Sequence, residues 1–335
     1  MKTFGFQWHL TNRCNLRCGH CYQDDFTGRG EPGFDALLEM AERIFGALRD
    51  REISVNLTGG EPLFMPRFFD LVERLHSYGS LKEAHVLTNG TIATDEVIER
   101  LRSSDRVGHL KVSIESGDGR VNDAIRGAGD LETVSRSLDR LIAGAGKPAM
   151  VMMTLARYNL PTIRETVRFA KAHGASGLIL ERFVPLGKGR SRREDVLDAQ
   201  GWLEAVKAVV EAAGMDIDPA TLLPYRAFWL WLDDREEKLE GALCNLGSES
   251  MALMPDGTVF PCRRLPVPIG NVLRDPIGTI LSRLGDFGAP VIRKRLHGGL
   301  CGLCGVEDCA GCRALARALT GDILADDPQC LLHLE

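Results

Sequence analysis

Along the first half of the chain, short apolar runs alternate with segments whose apolar residues recur at helical spacing. The runs are FGFQWH (4–9), ISVNL (53–57), EAHVLT (83–88), HLKVSI (109–114), AMVMMTL (149–155) and GLILERF (177–183). They read as strands. The segments between them read as helices: FDALLEMAERIFGALR with Pro32 just ahead of it, then roughly 66–78, 94–103, 130–143 and 161–173.

Strands that alternate with helices of this length imply parallel pairing and right-handed crossovers. Eight such units close a barrel. The six found here leave one side open, so the expected fold is α/β, a partial (β/α)6 TIM-type barrel. Ligands of parallel α/β folds bind at the carboxyl ends of the strands. Every unusual loop falls at such an end: a cysteine-rich loop after the first strand, Thr58-Gly59-Gly60-Glu61-Pro62, Asn89-Gly90, Glu115-Ser116-Gly117 and Val184-Pro185-Leu186-Gly187.

Residues 188–196 (KGRSRREDV) form a charged connector. Helices are expected at about 198–213 and 225–240, the second being YRAFWLWLDDREEKLE, with Phe228, Trp229 and Trp231 packed as core between modules. From Cys244 the chain is rich in Gly, Pro and Cys. The expected division is 1–190 barrel, 191–243 helical connector and 244–335 cysteine-rich α+β extension.

The net charge of −5 and pI near 6.0 give no basic field for nucleic acid or anionic lipid. No apolar run has membrane-helix length, and MKTFGFQWHL lacks the pattern of a signal peptide, so a cytoplasmic protein is expected. The ten cysteines are segregated, three within 14–21 and seven within 244–330. Disulfides are improbable in a reduced compartment, and clustered C-x2-C spacing there points to metal or redox chemistry.

Cys14, Cys18 and Cys21 stand as C-x3-C-x2-C in TNRCNLRCGHCYQDD. Three thiolates can hold three irons of a [4Fe–4S] cube and leave the fourth open. A zinc site closed by His20 is the alternative. The sequence CNLRCGHCY resembles the signature of the radical S-adenosylmethionine (SAM) superfamily, C-x3-C-x-φ-C. The resemblance implies that the amino and carboxylate groups of SAM fill the open iron. One electron from the cluster then breaks the S–C5′ bond, and a 5′-deoxyadenosyl radical abstracts hydrogen from a substrate. His20 takes the φ position, where the family sets an aromatic ring near the adenine.

Other loops extend the likeness. Two glycines let backbone approach a ligand, and a neighbouring carboxylate can accept from an ammonium. Gly59, Gly60, Glu61 and Pro62 resemble the family's GGEP motif, which meets the methionine amino group of SAM. Ser113 and Glu115 fall on one face of a strand and resemble the family's ribose-contacting pair. Many relatives read Ser-Ile-Asp-Gly where this chain reads Ser-Ile-Glu-Ser. Arg136, on the next helix expected, matches an arginine that relatives can place near the SAM carboxylate. Asn89 reads as a turn residue at the pocket edge. Tyr22, Asp24 and Asp25 are candidates to line the cavity.

The second array runs Cys244, Cys262, Cys301, Cys304, Cys309, Cys312, Cys330, with Gly257 ahead of Cys262 in MPDGTVFPC. It resembles the SPASM extension of radical SAM enzymes, which holds auxiliary iron–sulfur clusters. The resemblance implies that Cys301, Cys304, Cys309 and Cys330 ligate one [4Fe–4S] cluster, and Cys244, Cys262 and Cys312 a second. The central spacing here is x4 then x2, where the family has x5 then x3, which leaves one or two auxiliary clusters open. A zinc ribbon from C301-x2-C304 and C309-x2-C312 is the competing reading.

Auxiliary clusters suit reactions that leave the substrate oxidised. SPASM-bearing relatives mostly modify peptides or proteins, so a peptide or protein side chain is the expected substrate. The other reading is tetrapyrrole side-chain chemistry, since GCRALARALTGDILADDPQC resembles the tail of radical SAM enzymes of alternative haem and haem d1 biosynthesis. A non-catalytic iron–sulfur electron carrier belongs to another class, and the GGEP and Ser113/Glu115 features argue against it. The resemblance further implies an electron donor such as flavodoxin or ferredoxin. With 13 residues ahead of Cys14, a leader-peptide-binding module is expected as a separate protein. The catalytic residue beyond these ligands is unknown from sequence.

Overall fold

The computed structural model describes residues 2–222, 225–232, 237–306 and 308–334. The first half alternates as expected: β1 (Lys2–His9), α1 (Phe34–Ala47), β2 (Arg51–Thr58), α2 (Phe68–His76), β3 (Leu81–Thr88), α3 (Asp95–Arg102), β4 (Val107–Ser113), α4 (Gly119–Arg126), α5 (Asp130–Ala145), β5 (Ala149–Leu155), α6 (Ile163–Ala172) and β6 (Gly177–Arg182). The rest adds α7 (Ala199–Ala212), β7 (Ala227–Leu232), β8 (Glu237–Ala242), β9 (Ser250–Leu253), β10 (Thr258–Phe260), β11 (Gly270–Asn271), α8 (Ile277–Gly285), α9 (Ala289–Arg293), α10 (Leu300–Leu303) and α11 (Arg313–Thr320).

Strands β1 to β6 pair in sequence order and parallel, from Lys2↔Arg51 at one edge to Leu155↔Arg182 at the other. Alternation along each strand sets one row of side chains against the helices and the other toward the lumen. On β1, Phe4, Phe6 and Trp8 are buried in the helix-facing core with Met40, Ile44 and Phe45 of α1, while Gly5 and Gln7 line the lumen. Capping is local and legible: Thr94 accepts from the Val97 N–H at the start of α3, with Asp95 and Glu96 in its first turn and Arg100 and Arg102 in its last.

The sheet has 11 strands in the order β11-β10-β9-β1-β2-β3-β4-β5-β6-β7-β8, so it stays open rather than closing. Strand β9 pairs parallel with β1 (Gly5↔Ser250 to Trp8↔Leu253), while β7 pairs antiparallel with β6. Both edges of the six-stranded parallel core are thereby covered by strands from the second half of the chain.

The helix expected over 225–240 is instead the antiparallel pair β7 and β8; residues 233–236 of that stretch lie outside the described residues. AFWLWL has no β-branched residue but is aromatic; its edge pairs with β6, while one face, Phe228 and Leu230, is core and the other, Ala227 and Trp229, meets the lumen. Phe228 is buried core as expected, whereas Trp229 lines the cavity and Trp231 is half-buried.

The C-terminal segment is tied to the barrel through one buried carboxylate. Asp327 is fully buried and pairs with Arg182 of β6 at 2.9 Å and Arg226 at 3.4 Å; it also accepts from the backbone N–H of Cys312 and Gln329. Burial alone would raise this carboxyl, but the two guanidiniums hold it down at about 2. We expect Asp327→Ala, which removes the carboxylate shared by Arg182 and Arg226, to cost about 3–5 kcal/mol. Denaturant midpoints measured under reducing conditions check this. Arg136→Ala, which removes an exposed partner of Glu132, should change stability by less than about 0.5 kcal/mol.

Candidate active site

The loop between β1 and α1 carries Cys14, Cys18 and Cys21, and the protein clasps it from three directions. From β2, Gly60 N–H donates to the Thr11 carbonyl at 2.7 Å and Glu61 N–H to the Arg13 carbonyl at 2.8 Å. A Cβ on Gly59 would stand 2.4 Å from the Thr11 carbonyl oxygen, and one on Gly60 2.2 Å from that of Arg13. Gly59 also has φ +150°. Both glycines are therefore required by the close approach of the cysteine loop. From α4, the Ile125 carbonyl accepts from Gly19 N–H; from the β6 loop, Gly189 N–H donates to the Cys21 carbonyl.

Glu61 is fully buried and does not line the cavity. Its oxygens accept from Thr88 Oγ1 (2.8 Å), Asn89 N–H (2.7 Å) and Leu63 N–H (3.0 Å), which locks the β2 loop to the β3 loop. Burial pushes its carboxyl up to about 7 against those hydrogen bonds. Gly59 and Gly60 present their backbone to the cavity in its place. Asn89 lines the cavity edge, donating to Asn15 Oδ1 at 2.8 Å and approaching Cys14 Sγ at 3.8 Å.

Ser113 and Glu115 both face the same cavity, at the end of β4, as their spacing implies. Glu115 is 2 % exposed, and its oxygens meet His20 Nε2 at 3.2 Å, Arg126 Nη1 at 3.7 Å and the Thr154 N–H at 3.1 Å. Burial would raise this carboxyl, but His20, then Arg126 and Thr154, hold it below its ordinary value. His20 lines the cavity beside Phe183, with ring centroids 6.4 Å apart, and its buried Nδ1 has no partner among the described residues.

Arg136 does not reach the site. It lies on the exposed face of α5, paired with Glu132, because its position on the helix points it away from the strand ends. The cation that does reach it is Arg126, the last residue of α4 and 5 % exposed, fixed by Asp130 (2.7 Å) and the Asn89 carbonyl (3.1 Å). A signal for α4 was present: Asp118 caps it and Gly127, at φ +126°, ends it. Tyr22 lines the cavity under Arg263, 4.1 Å from the ring centroid, whereas Asp24 and Asp25 are exposed.

One cavity of about 520 Å³ joins Cys14, Cys18 and Cys21 to Cys244 and Cys262. Burial pushes the Cys18 thiol up to about 11, with Cys21 and Cys14 adding to the rise and Arg126 opposing it. Three crowded thiols of this kind ionise only with a cationic group among them. Among the described residues, no three of the ten cysteine sulfurs lie within 4.8 Å of one another. Three thiols on one loop that face a shared cavity, with no fourth cysteine among the described residues lining it there, are a donor set that fits three irons of a cube and leaves the fourth open.

In the C-terminal array, Cys244, Cys262 and Cys312 act on one another electrostatically, as do Cys309 and Cys330. Cys301 Sγ accepts from Asp327 N–H (3.2 Å) and lies 3.6 Å from Arg313; Arg293 donates to the carbonyls of Cys304 and Cys309. The division of the array into two sets of ligands thus has neighbours in the structure for Cys244, Cys262 and Cys312 and for Cys309 with Cys330.

At the amino ends of β3 and β4, Glu83, His85 and His109 also bring ligand atoms within 4.8 Å. His85 Nδ1 accepts from the His109 N–H, so its proton sits on Nε2 toward Glu83, 3.5 Å away. A metal-bound histidine has the reverse arrangement, donating through its second nitrogen. This trio is a hydrogen-bonded plug.

Gly60→Ala should expel the cysteine loop, lowering iron bound after anaerobic reconstitution by about four per chain. We expect Arg126→Ala to weaken SAM binding roughly tenfold or more, as loss of a charge-assisted contact does, and Arg136→Ala to leave it unchanged; equilibrium dialysis separates the two.

Comparison with known proteins agrees with this geometry. The Radical SAM superfamily matches residues 8–170, and the SPASM iron–sulfur cluster-binding domain matches 244–312. The chain is 30% identical to the AdoMet-dependent heme synthase of Methanosarcina barkeri, over 97% of this chain and 95% of that one. It is also 30% identical to the mycofactocin maturase MftC of Mycobacterium ulcerans, over 97% and 86%. Its fold matches the solved structure of native anSMEcpe with bound AdoMet, with a TM-score of 0.75, 15% identity and coverage of 98% and 94%. With three cysteines clasped at the open end of a parallel barrel and Cys244 and Cys262 of a second array lining the same cavity, the chain belongs to the radical SAM superfamily and carries a SPASM domain.

Proposed function

We propose that this radical SAM enzyme oxidises a side chain of a peptide or protein, with the SPASM region accepting an electron. The single cavity shared by Cys14, Cys18, Cys21, Cys244 and Cys262 carries the reading, because it lets one bound substrate face both arrays. A [4Fe–4S] cluster with SAM supplies the hydrogen-abstracting 5′-deoxyadenosyl radical. Cys14, Cys18 and Cys21 hold that cluster. Gly59 and Gly60 backbone and Arg126 orient the methionine end of SAM, while Ser113 and Glu115 hold the ribose. His20 donates to Glu115 and so fixes its carboxylate.

The abstraction leaves a substrate radical. Loss of one electron to the auxiliary side, together with a proton or, from a carboxylate, neutral carbon dioxide, would complete a two-electron oxidation. Buried Arg182, Arg226 and Arg313 beside the C-terminal cysteines favour the reduced, more negative state there. Cys301, Cys304, Cys309 and Cys330 hold one auxiliary cluster and Cys244, Cys262 and Cys312 another. A flavodoxin or ferredoxin would deliver the first electron, and the reduced cytoplasm suits ten unpaired cysteines. The structure has, among the described residues, no helix long and apolar enough to cross a membrane.

Peptide substrates are supported by the likeness to a mycofactocin maturase. The likeness to a heme synthase over almost the full length of both chains favours a second reading, oxidation of a tetrapyrrole side chain. Anaerobic reconstitution with SAM and dithionite should yield 5′-deoxyadenosine and about twelve irons per chain. Cys14→Ala should abolish the nucleoside and keep about eight irons; nucleoside formed by that variant overturns the site. Mass spectrometry of candidate peptides from neighbouring genes, run beside an iron tetrapyrrole with carboxylate side chains, decides the substrate: a loss of two hydrogens, with or without carbon dioxide, from one of them identifies it.

A further inference from the structure

Lys111 lies on β4 two residues before Ser113, on the same lumen-facing side. At about 3.3 Å per residue, it sits about 7 Å deeper than the strand end. It is 6 % exposed. Its Nζ donates to Asn56 Oδ1 of β2 at 2.8 Å and stands 5.4 Å from the Trp229 ring centroid on β7. Strands β2 and β7 lie on opposite sides of β4 in the sheet, so this one side chain crosses the lumen. On β2, β4 and β7 nothing deeper than Asn56, Lys111 and Trp229 lines the cavity. They are its floor.

An ammonium carries three donors, and Asn56 takes one of them. Among the described residues no carboxylate forms an ion pair with Lys111. Glu181 of β6, whose charge acts on it, is held by Arg264 at 3.5 Å; Glu83 of β3 faces His85, also at 3.5 Å. A buried cation without a counter-ion is costly and is retained when it meets an anion in use. Burial pulls the ammonium down to about 8, while Glu181 and Glu83 act in the other direction. The neighbouring His85 and His109 are themselves held neutral by burial. Around Lys111 the cavity wall combines apolar groups, Met152, Ile179 and the Trp229 ring, with Gln7 of β1 beside Asn56 and with Glu181, which Arg264 offsets. With Glu181 offset by Arg264, one ammonium, two amides and the apolar part of the wall suit a single carboxylate on a hydrocarbon stem.

We propose that Lys111, with Asn56 and Trp229, anchors the substrate by a carboxylate at the floor of the barrel. This deepens the proposed function and rests on it, since either a peptide acid or a tetrapyrrole acid side chain satisfies the anchor. The substrate would then lie between the anchor and the SAM site, its reacting carbon fixed by the stem length above the carboxylate.

The test uses the reconstituted, SAM-bound enzyme and a probe pair, 3-phenylpropionate and its uncharged amide, in calorimetric titrations. The acid should bind and the amide bind at least roughly tenfold more weakly, the usual worth of a charged hydrogen bond. The ammonium is charged below its pKa, so acid binding is complete below about pH 8 and its Kd should rise roughly tenfold per pH unit above that, while amide binding stays flat. Lys111→Met should lose the acid preference and Lys111→Arg keep it. Equal binding of acid and amide, no pH dependence, no detectable binding of the acid, or an unchanged preference in Lys111→Met would each overturn the anchor. If Lys111→Met fails to fold, the wild-type probe pair and pH series still decide. The titration reads binding alone, so its outcome is separable from any failure to form 5′-deoxyadenosine.

Discussion

The organisation of the site depends on a contact with no side chains in it. The backbone of residues 11–13 runs against Gly59 and Gly60 at distances that any Cβ would forbid. That approach lets two N–H groups of the β2 loop grip carbonyls of the cysteine loop. Glu61 then carries the fixation to β3 through Thr88 and Asn89, and Asn89 returns it to Cys14 and Asn15. From the far edge, Gly187 repeats the arrangement: at φ +53° a Cβ there would stand 2.4 Å from the Tyr22 carbonyl carbon. A loop without regular structure is thus fixed on both sides by backbone hydrogen bonds and close backbone contact, which a three-sulfur site needs if its open position is to face one direction.

The motif residues consequently act in two layers. Glu61, the most recognisable carboxylate of the set, braces the loops from behind, whereas Glu115 stands at the cavity surface. Glu115 shares His20 and Arg126 as neighbours, so the ring after Cys18, the end of α4 and the end of β4 form one charge-balanced group. The same economy of charge appears at the other array, where Asp327 offsets Arg182 and Arg226 beside Cys301 and Cys312.

Much of this was legible in residue order. The six parallel strands came from apolar runs bounded by loops, and their ends carried every unusual residue cluster. Three things were not. AFWLWL has no period that separates a strand from a buried helix, and pairing with β6 decided for the strand. Arg136 and Arg126 are equivalent as letters; only the short α4, overlooked beside the longer α5, turns one inward and leaves the other in solvent. Lys111 was hidden for a different reason. A polar residue alternating with apolar ones reads as solvent-facing, and a barrel lumen has the same period of two.

Strand β9 has a consequence for how the chain is made. It lies beside β1 yet is separated from it by some 240 residues of sequence, as are Cys14 and Cys244 on their shared cavity. During synthesis the amino-terminal half leaves the ribosome with the β1 edge unpaired and its three thiols facing an unroofed lumen. Such a nascent chain is open to edge-to-edge association and to oxidation until the last hundred residues arrive. Metal delivery that waits for the finished chain, or a chaperone that shields this edge, would follow from the topology alone.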